Sequence, residues 1–192
     1  MDRVIVFARA PELGRVKRRL AKDIGANAAL RFHVATMRSV ARRLSADRRW
    51  MVTIAVTPDR WARCGRWWPR GIERIPQGRG DLGVRMARAL WRYRGAPTVL
   101  IGSDIPDVMP AHIADALRCV RQGELVFGPA TDGGYWLIGT RNIDRYYGLF
   151  RNVRWSTSNA FDDTRANVVP GRRLDLAARL SDVDDAIAFK RS

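Results

Sequence analysis

The sequence predicts one α/β domain, residues 1–192, in three layers around a mixed but mainly parallel sheet. Three observations predict it. Short apolar runs alternate with segments of helical period along the chain, which is the pattern of β-α-β units. Two of the later runs stand too close together for a parallel crossover, so that pair must be antiparallel. A chain of 192 residues also matches one ordinary hydrophobic core.

The elements follow in order. VIVFA at 4–8, MVTIAV at 51–56, TVLIG at 98–102 and ELVFGPA at 124–130 are apolar without alternation, as strands buried on both faces are. Between them, Ala26 to Leu44 carries Leu30, Val34, Met37, Val40, Ala41 and Leu44 at helical spacing, and Asp81 to Tyr93 and Ala111 to Val120 repeat that period. GYWLIGT at 134–140 is a further strand, separated from ELVFGPA only by TDGG.

Apolar residues make up 46% and charged residues 28%, as in a globular protein, yet the formal charge is +16. Lysine occurs only at Lys17, Lys22 and Lys190, so the excess is arginine spread along the whole chain. Either a coding bias toward arginine or a polyanionic partner accounts for it, and net charge alone selects no function. Cys64 and Cys119 form no CxxC, which argues against a zinc site or a disulfide framework and fits a reducing cytoplasm. No apolar run reaches the ~18 residues of a membrane span, and Met-Asp-Arg leads straight into VIVFARA without an apolar leader. A soluble cytoplasmic protein is expected.

Candidate chemistry gathers at strand ends. In the first strand-to-helix turn, ARAPELGRVKRRL, Gly14 permits close backbone approach and Arg9, Arg15, Lys17, Arg18 and Arg19 supply positive charge for a phosphate. The turn is neither a Walker A loop nor a GxGxxG fingerprint. In TVLIGSDIP, Asp104 follows a strand directly and offers a hard oxygen ligand for Mg²⁺ or Mn²⁺; a simple turn is the competing reading.

Asp132, Gly133 and Gly134 combine a tight turn with a carboxylate beside the next strand. In GRGDLGVRM, Gly80 and Gly83 suit contact with a base or ribose, and Asp81 serves equally as a helix N-cap. Trp155 in WSTSN offers a stacking face, with Ser156 or Thr157 as the cap of a following helix. Asp182 and Asp184 in SDVDDAIAF offer another metal ligand, although Ser181 or Asp182 as the cap of a short C-terminal helix competes there. His33 and His112 have no nucleophile motif to serve and are read as structural. The segment 60–74 interleaves arginine with Trp61, Trp67 and Trp68; it reads as a sheet-edge cover or homodimer contact, with a nucleic-acid patch as the alternative.

FARAPELGRVKRRLA, PQGRGDLGVRM, LIGSDIPDVMPAHI, GPATDGGYWLIG, WSTSN and SDVDDA together resemble, in order and spacing, a bacterial family of GT-A-type glycosyltransferases. That family is linked by name to arsenosugar biosynthesis and to radical-SAM/selenodomain neighbourhoods, within the nucleotide-diphospho-sugar transferase superfamily. The resemblance implies a Rossmann-like mixed sheet and a nucleotide-sugar donor. It implies phosphate contacts from Lys17 and Arg19, nucleoside contacts from Gly80 to Gly83, a divalent cation on Asp104, and contacts from Asp132 with Gly133 to the acceptor or the transferred group. Arg18 stands where the family has a hydroxyl residue, and DVDDAIAF departs from the family's usual ending around Asp184. The same outline resembles nucleotidyltransferases that use a nucleoside triphosphate, and a non-catalytic nucleic-acid-binding protein is the alternative from another class.

Overall fold

The computed structural model describes residues 1–123 and 125–181. Seven strands form one sheet in the order β3-β2-β1-β4-β6-β5-β7. These are β1 (Asp2–Arg9), β2 (Trp50–Thr57), β3 (Glu73–Pro76), β4 (Thr98–Gly102), β5 (Leu125–Pro129), β6 (Tyr135–Thr140) and β7 (Leu174–Leu176). The helices are α1 (Arg18–Ile24), α2 (Ala26–Ser45), α3 (Leu82–Arg92), α4 (Pro110–Arg121) and α5 (Ala160–Ala166). Among the described residues, no helix is long and apolar enough to cross a membrane.

The central strands are apolar on both faces because both are covered. Val4, Val6 and Ala8 of β1 join α2 and α4 in one core, whereas Ile5 faces the other core with Met86, Ala89 and Leu90 of α3. Successive side chains of a strand point to opposite faces, so one strand feeds two cores and its apolar run cannot alternate. Phe127, Ile138 and Leu125 complete the second core together with Tyr146 and Leu149.

The four parallel strands β3, β2, β1 and β4 are followed by β6, which pairs antiparallel with both β4 and β5. The sequence expectation of an antiparallel β5–β6 pair therefore holds, and β6 inserts between β4 and β5. β7 and the short helices α1 and α5 are additions that hydrophobic period does not announce. The tryptophan-rich segment packs against the α2 face: Trp68 is buried and donates its Nε1–H to the carbonyls of Trp61 and Cys64, and Trp61 meets Trp67 edge-on at 5.0 Å. These rings serve packing, as the sheet-cover reading expects.

Phe127 is fully buried and lies edge-on to Tyr135 and Phe161, joining β5, β6 and α5. Phe127→Ala should lower unfolding free energy by about 3–5 kcal/mol, measured by urea denaturation. A loss below about 1 kcal/mol would show that these rings repack without it.

Candidate functional site

The chain runs from β1 outward to β2 and β3, then returns to β4 on the other side of β1. A crevice opens beyond the carboxyl ends of strands at such a switch of direction, where ligands of open α/β sheets bind. Phe7 pairs with Gly102 across β1 and β4. Arg9 and Asp104 each lie two residues further on, so both leave the sheet at the same level. A cleft of about 490 Å³ opens there, with Arg9, Lys17, His33, Asp104 and Ser156 in its wall.

Other candidates reach the same rim for topological reasons. β6 is antiparallel to β4, with Ile101 opposite Leu137, so the amino end of β6 lies at the carboxyl end of β4. The Asp132–Gly134 turn that precedes β6 is thereby brought to the Asp104 side. In that turn Asp132 Oδ1 accepts from Gly134 N at 2.9 Å, and the Gly133 carbonyl accepts from Phe161 N at 3.0 Å, which anchors α5. A Cβ on Gly133 would lie 2.1 Å from the Ser158 carbonyl oxygen.

Lys17 and Asp104 form the electrostatic centre. Lys17 Nζ lies 2.9 Å from Asp104 Oδ2, with the lysine side chain only 4% exposed and that of Asp104 37% exposed. Lys17 has φ 45° and ψ 49°, a left-handed conformation that costs a non-glycine residue on the order of 1–3 kcal/mol. That conformation begins α1 and turns the side chain inward, away from Arg18 and Arg19, which are exposed. Glu12 shapes the outer loop: Oε1 accepts from Trp61 Nε1 at 2.9 Å and from Arg60, while Oε2 meets Arg15 at 3.5 Å. These contacts hold the Glu12 carboxyl below the usual range, with the Trp61 hydrogen bond the largest cause.

His33 reaches up from α2 and its Nε2 lies 2.9 Å from the Arg9 carbonyl. Burial is the main force that pushes its pKa below 6.5, with Lys17 and Arg9 acting in the same direction against Asp104 and the carbonyl. His112 supports α4, its Nδ1 accepting from Met109 N at 3.2 Å. Both histidines hold structural bonds.

The remaining candidates divide. Gly14 has φ +72° with open space around it, and Ser156 has φ 62° in the cleft wall. Asp81 is the N-cap of α3, its Oδ1 accepting from Val84 N at 2.8 Å. Gly80 lies under Val84, and Gly83 is packed by Phe150 and Trp155, whose ring a Cβ there would meet at 2.8 Å. Trp155 is thus seated against α3 and the second core. The expected Ser156 or Thr157 cap is corrected: α5 starts after Asn159, because Thr157 Oγ1 donates to the Arg154 carbonyl and accepts from Asn159 N instead. Asp182 and Asp184 lie outside the described residues. Sequence reading missed Gln77 and Arg85, which adjoin the rim and are bonded to each other at 2.8 Å.

Among the described residues no three His, Cys, Asp or Glu side chains cluster as a metal cage. Asp104 is the carboxylate in the cleft wall. A single carboxylate fits Mg²⁺ or Mn²⁺ where substrate phosphates and water complete the oxygen shell, as is usual for these ions.

Residues 37–157 match the model of a family described as "uncharacterized protein conserved in bacteria" (DUF2064). The chain belongs to that family. Among solved structures it is similar to a protein of Desulfovibrio desulfuricans G20 provisionally named a nucleotide-diphospho-sugar transferase. That match has a TM-score of 0.82 at 26% identity, over 96% of this chain and 82% of that one. A CMP:2-keto-3-deoxy-manno-octonic acid synthetase complexed with CTP shares the fold at TM-score 0.59 and 10% identity, over 99% and 95% of the two chains. Rv0371c of Mycobacterium tuberculosis H37Rv, complexed with manganese, does so at TM-score 0.53 and 16% identity, over 99% and 96%. A search of proteins with curated functions found no match. The fold of this DUF2064 member is that of the nucleotide-diphospho-sugar transferases, the superfamily to which the sequence motifs point.

Two outcomes test the site's construction. Because the folded-state pKa of His33 lies below 6.5, the unfolded chain takes up the proton first as pH falls. Its contribution is complete above pH 6.5 and is lost as pH drops toward the folded value, so unfolding free energy should fall there and His33→Gln should flatten that slope. Gly133→Ala, strained by φ +86° as well as by the Ser158 contact, should lower the melting temperature and cost more than about 1 kcal/mol. An unchanged melting curve would mean that the turn and α5 move apart freely.

Proposed function

We propose that the protein is a transferase that uses a nucleotide-activated donor and a divalent cation, with glycosyl transfer to a small acceptor as its reaction. The observation that carries this reading is Asp104, level with Arg9 at the switch point and paired with buried Lys17. The likeness to the Desulfovibrio protein supports it, as do the CTP and manganese held by neighbours of the same fold.

In this reading the basic turn receives the donor's diphosphate. Arg15, Arg18 and Arg19 bind it from the exposed side, and Gly14 allows the backbone to come close. Asp104 and donor oxygens hold the cation, which when bound neutralises charge on the departing diphosphate. Lys17 stabilises the same developing charge from within the wall, where low exposure makes its field stronger than in water. Asp132, whose Oδ1 accepts from Gly134 N, orients the acceptor hydroxyl and takes its proton. Gly133, Gly134, Trp155 and Ser156 border the acceptor; Gly80, Asp81 and Gly83 hold the loop on the nucleoside side.

A second reading, nucleotidyl transfer from a triphosphate to a small phosphorylated or acidic metabolite, is favoured by the charge of the turn. A pyrophosphate leaving group carries more charge to neutralise than a nucleoside diphosphate does. Pyrophosphate release from a nucleoside triphosphate separates the two, since glycosyl transfer releases none.

Calorimetry with nucleotide-sugars and triphosphates, each with and without Mn²⁺, tests the site. One donor should bind in a Mn²⁺-dependent way, and Asp104→Asn should remove that dependence. Metal-dependent binding that survives Asp104→Asn would overturn the cation role. The Lys17–Asp104 pair yields a further expectation: Lys17→Met should bind Mn²⁺ alone more tightly than the native protein while binding the Mn²⁺–donor pair more weakly. Equal Mn²⁺ affinity would mean that lysine and metal do not compete for Asp104.

A further inference from the structure

Gln77 follows β3 and is 3% exposed. Its backbone N–H extends the sheet by donating to the Val56 carbonyl at 3.0 Å. Its side-chain amide donates to the carbonyls of Ala55 at 2.9 Å and Ala8 at 3.4 Å, at the carboxyl ends of β2 and β1. The amide nitrogen is fully engaged, so the amide cannot rotate and Oε1 points in one direction. That oxygen accepts from Arg85 Nη1 at 2.8 Å, while Arg85 Nε donates to the Asp81 carbonyl at 3.1 Å. A planar guanidinium fixed at two points has a fixed direction.

This relay places Arg85 next to the end of β1, where Ala8 precedes Arg9. Arg9 leaves β1 on the same face as Ile5 and Phe7, the face that α3 covers and from which Arg85 comes. The Arg9 charge also acts, after burial, to disfavour the protonated form of Arg85. Like charges repel, and an anion between them offsets that repulsion by attracting both. Neither arginine makes an ion pair within 4.0 Å of a carboxylate among the described residues. The neighbouring acids Asp59 and Asp81 are engaged by the backbone N–H groups of Gly78 and Val84. Everything that orients Arg85 is neutral: an amide and a carbonyl. A glutamate at 77 would orient it equally well but cancel its charge.

We propose that Gln77 is a positioning residue that holds the Arg85 guanidinium beside Arg9, so that the two receive one phosphate group of the donor. The donor's identity rests on the function proposed above; the paired-guanidinium phosphate site does not. Two forks facing one tetrahedral oxyanion give charge-assisted hydrogen bonds that a base carbonyl would not draw from both.

The test uses inorganic pyrophosphate as the probe, titrated calorimetrically into native protein, Arg85→Gln, Gln77→Leu and the double variant, with melting curves to confirm folding. Arg85→Gln should weaken pyrophosphate binding by about tenfold, the scale of a lost charge-assisted hydrogen bond, and reduce its salt dependence. Gln77→Leu should weaken it less, and should add nothing in the Arg85→Gln background; a role confined to stability would add in full. Pyrophosphate binding unchanged by Arg85→Gln, additive effects in the cycle, or no pyrophosphate binding by native protein would each overturn the proposal. If Gln77→Leu does not fold, Arg85→Lys decides, because it keeps the charge but loses the fork and should bind between native and Arg85→Gln; affinity equal to native would overturn the paired fork. Pyrophosphate binding that needs Arg85 while no nucleotide binds would uphold this site and reject the donor reading. Nucleotide binding indifferent to Arg85 would do the reverse.

Discussion

The register of β1 against β4 is the constraint from which the site follows. Parallel pairing sets Phe7 opposite Gly102, and the chain beyond each strand emerges at one level. A slip of one residue would turn every side chain of β1 to the other face, exchanging Val4, Val6 and Ala8 with Ile5 and Phe7 between the two cores. Packing on both faces therefore fixes the register, and the register fixes the position of Arg9 relative to Asp104. The site's geometry is thus secured by apolar residues that take no part in its chemistry. The antiparallel insertion of β6 adds the Asp132 turn to the same rim by the same logic.

Charge placement is the second determinant. A lysine side chain removed from water needs a partner, and Asp104 answers it at 2.9 Å. The pair holds both groups at the mouth of the cleft, and the left-handed backbone at Lys17 shows that the loop bends against its own preference to make it. Strain of this kind persists only where surrounding contacts over-determine it. Here Val16 and Leu20, both buried, clamp the chain on either side of Lys17.

The fold was legible because its strands are long apolar runs and its main helices have a clear period. β7 spans three residues and α1 and α5 seven each, too short for period to register. At the site, residue types were legible and contacts were not. Strand-end logic singles out Asp104 and Lys17, but their pairing spans 87 positions and depends on the β1–β4 register. Gln77 stands within PQGRGDLGVRM, but nothing in that motif assigns it a role, since a glutamine after a short strand reads as a loop residue until Ala8 and Ala55 are seen to engage it. At α5 the local cap chemistry of Ser156 and Thr157 was overridden by the turn that seats Trp155 on Gly83.

The excess of arginine has a different meaning at the cleft than over the rest of the surface. Elsewhere guanidiniums meet acids, as Arg49 does with Asp47, Arg154 with Asp163 and Arg121 with Asp2. Around the cleft, among the described residues, Glu12 is shared between Trp61, Arg60 and Arg15, while Asp59 is held by Gly78 N, Asp81 by Val84 N and Asp132 by Gly134 N. Among the described residues, Asp104 is the acid that lines the wall, together with Arg9, Arg15, Lys17, Arg18 and Arg19. A coding bias can raise arginine everywhere, but it does not set Asp59, Asp81 and Asp132 on backbone N–H groups at one rim. That sorting leaves a local surplus of cation, and the surplus, rather than the net charge of +16, is the feature that selects an anion.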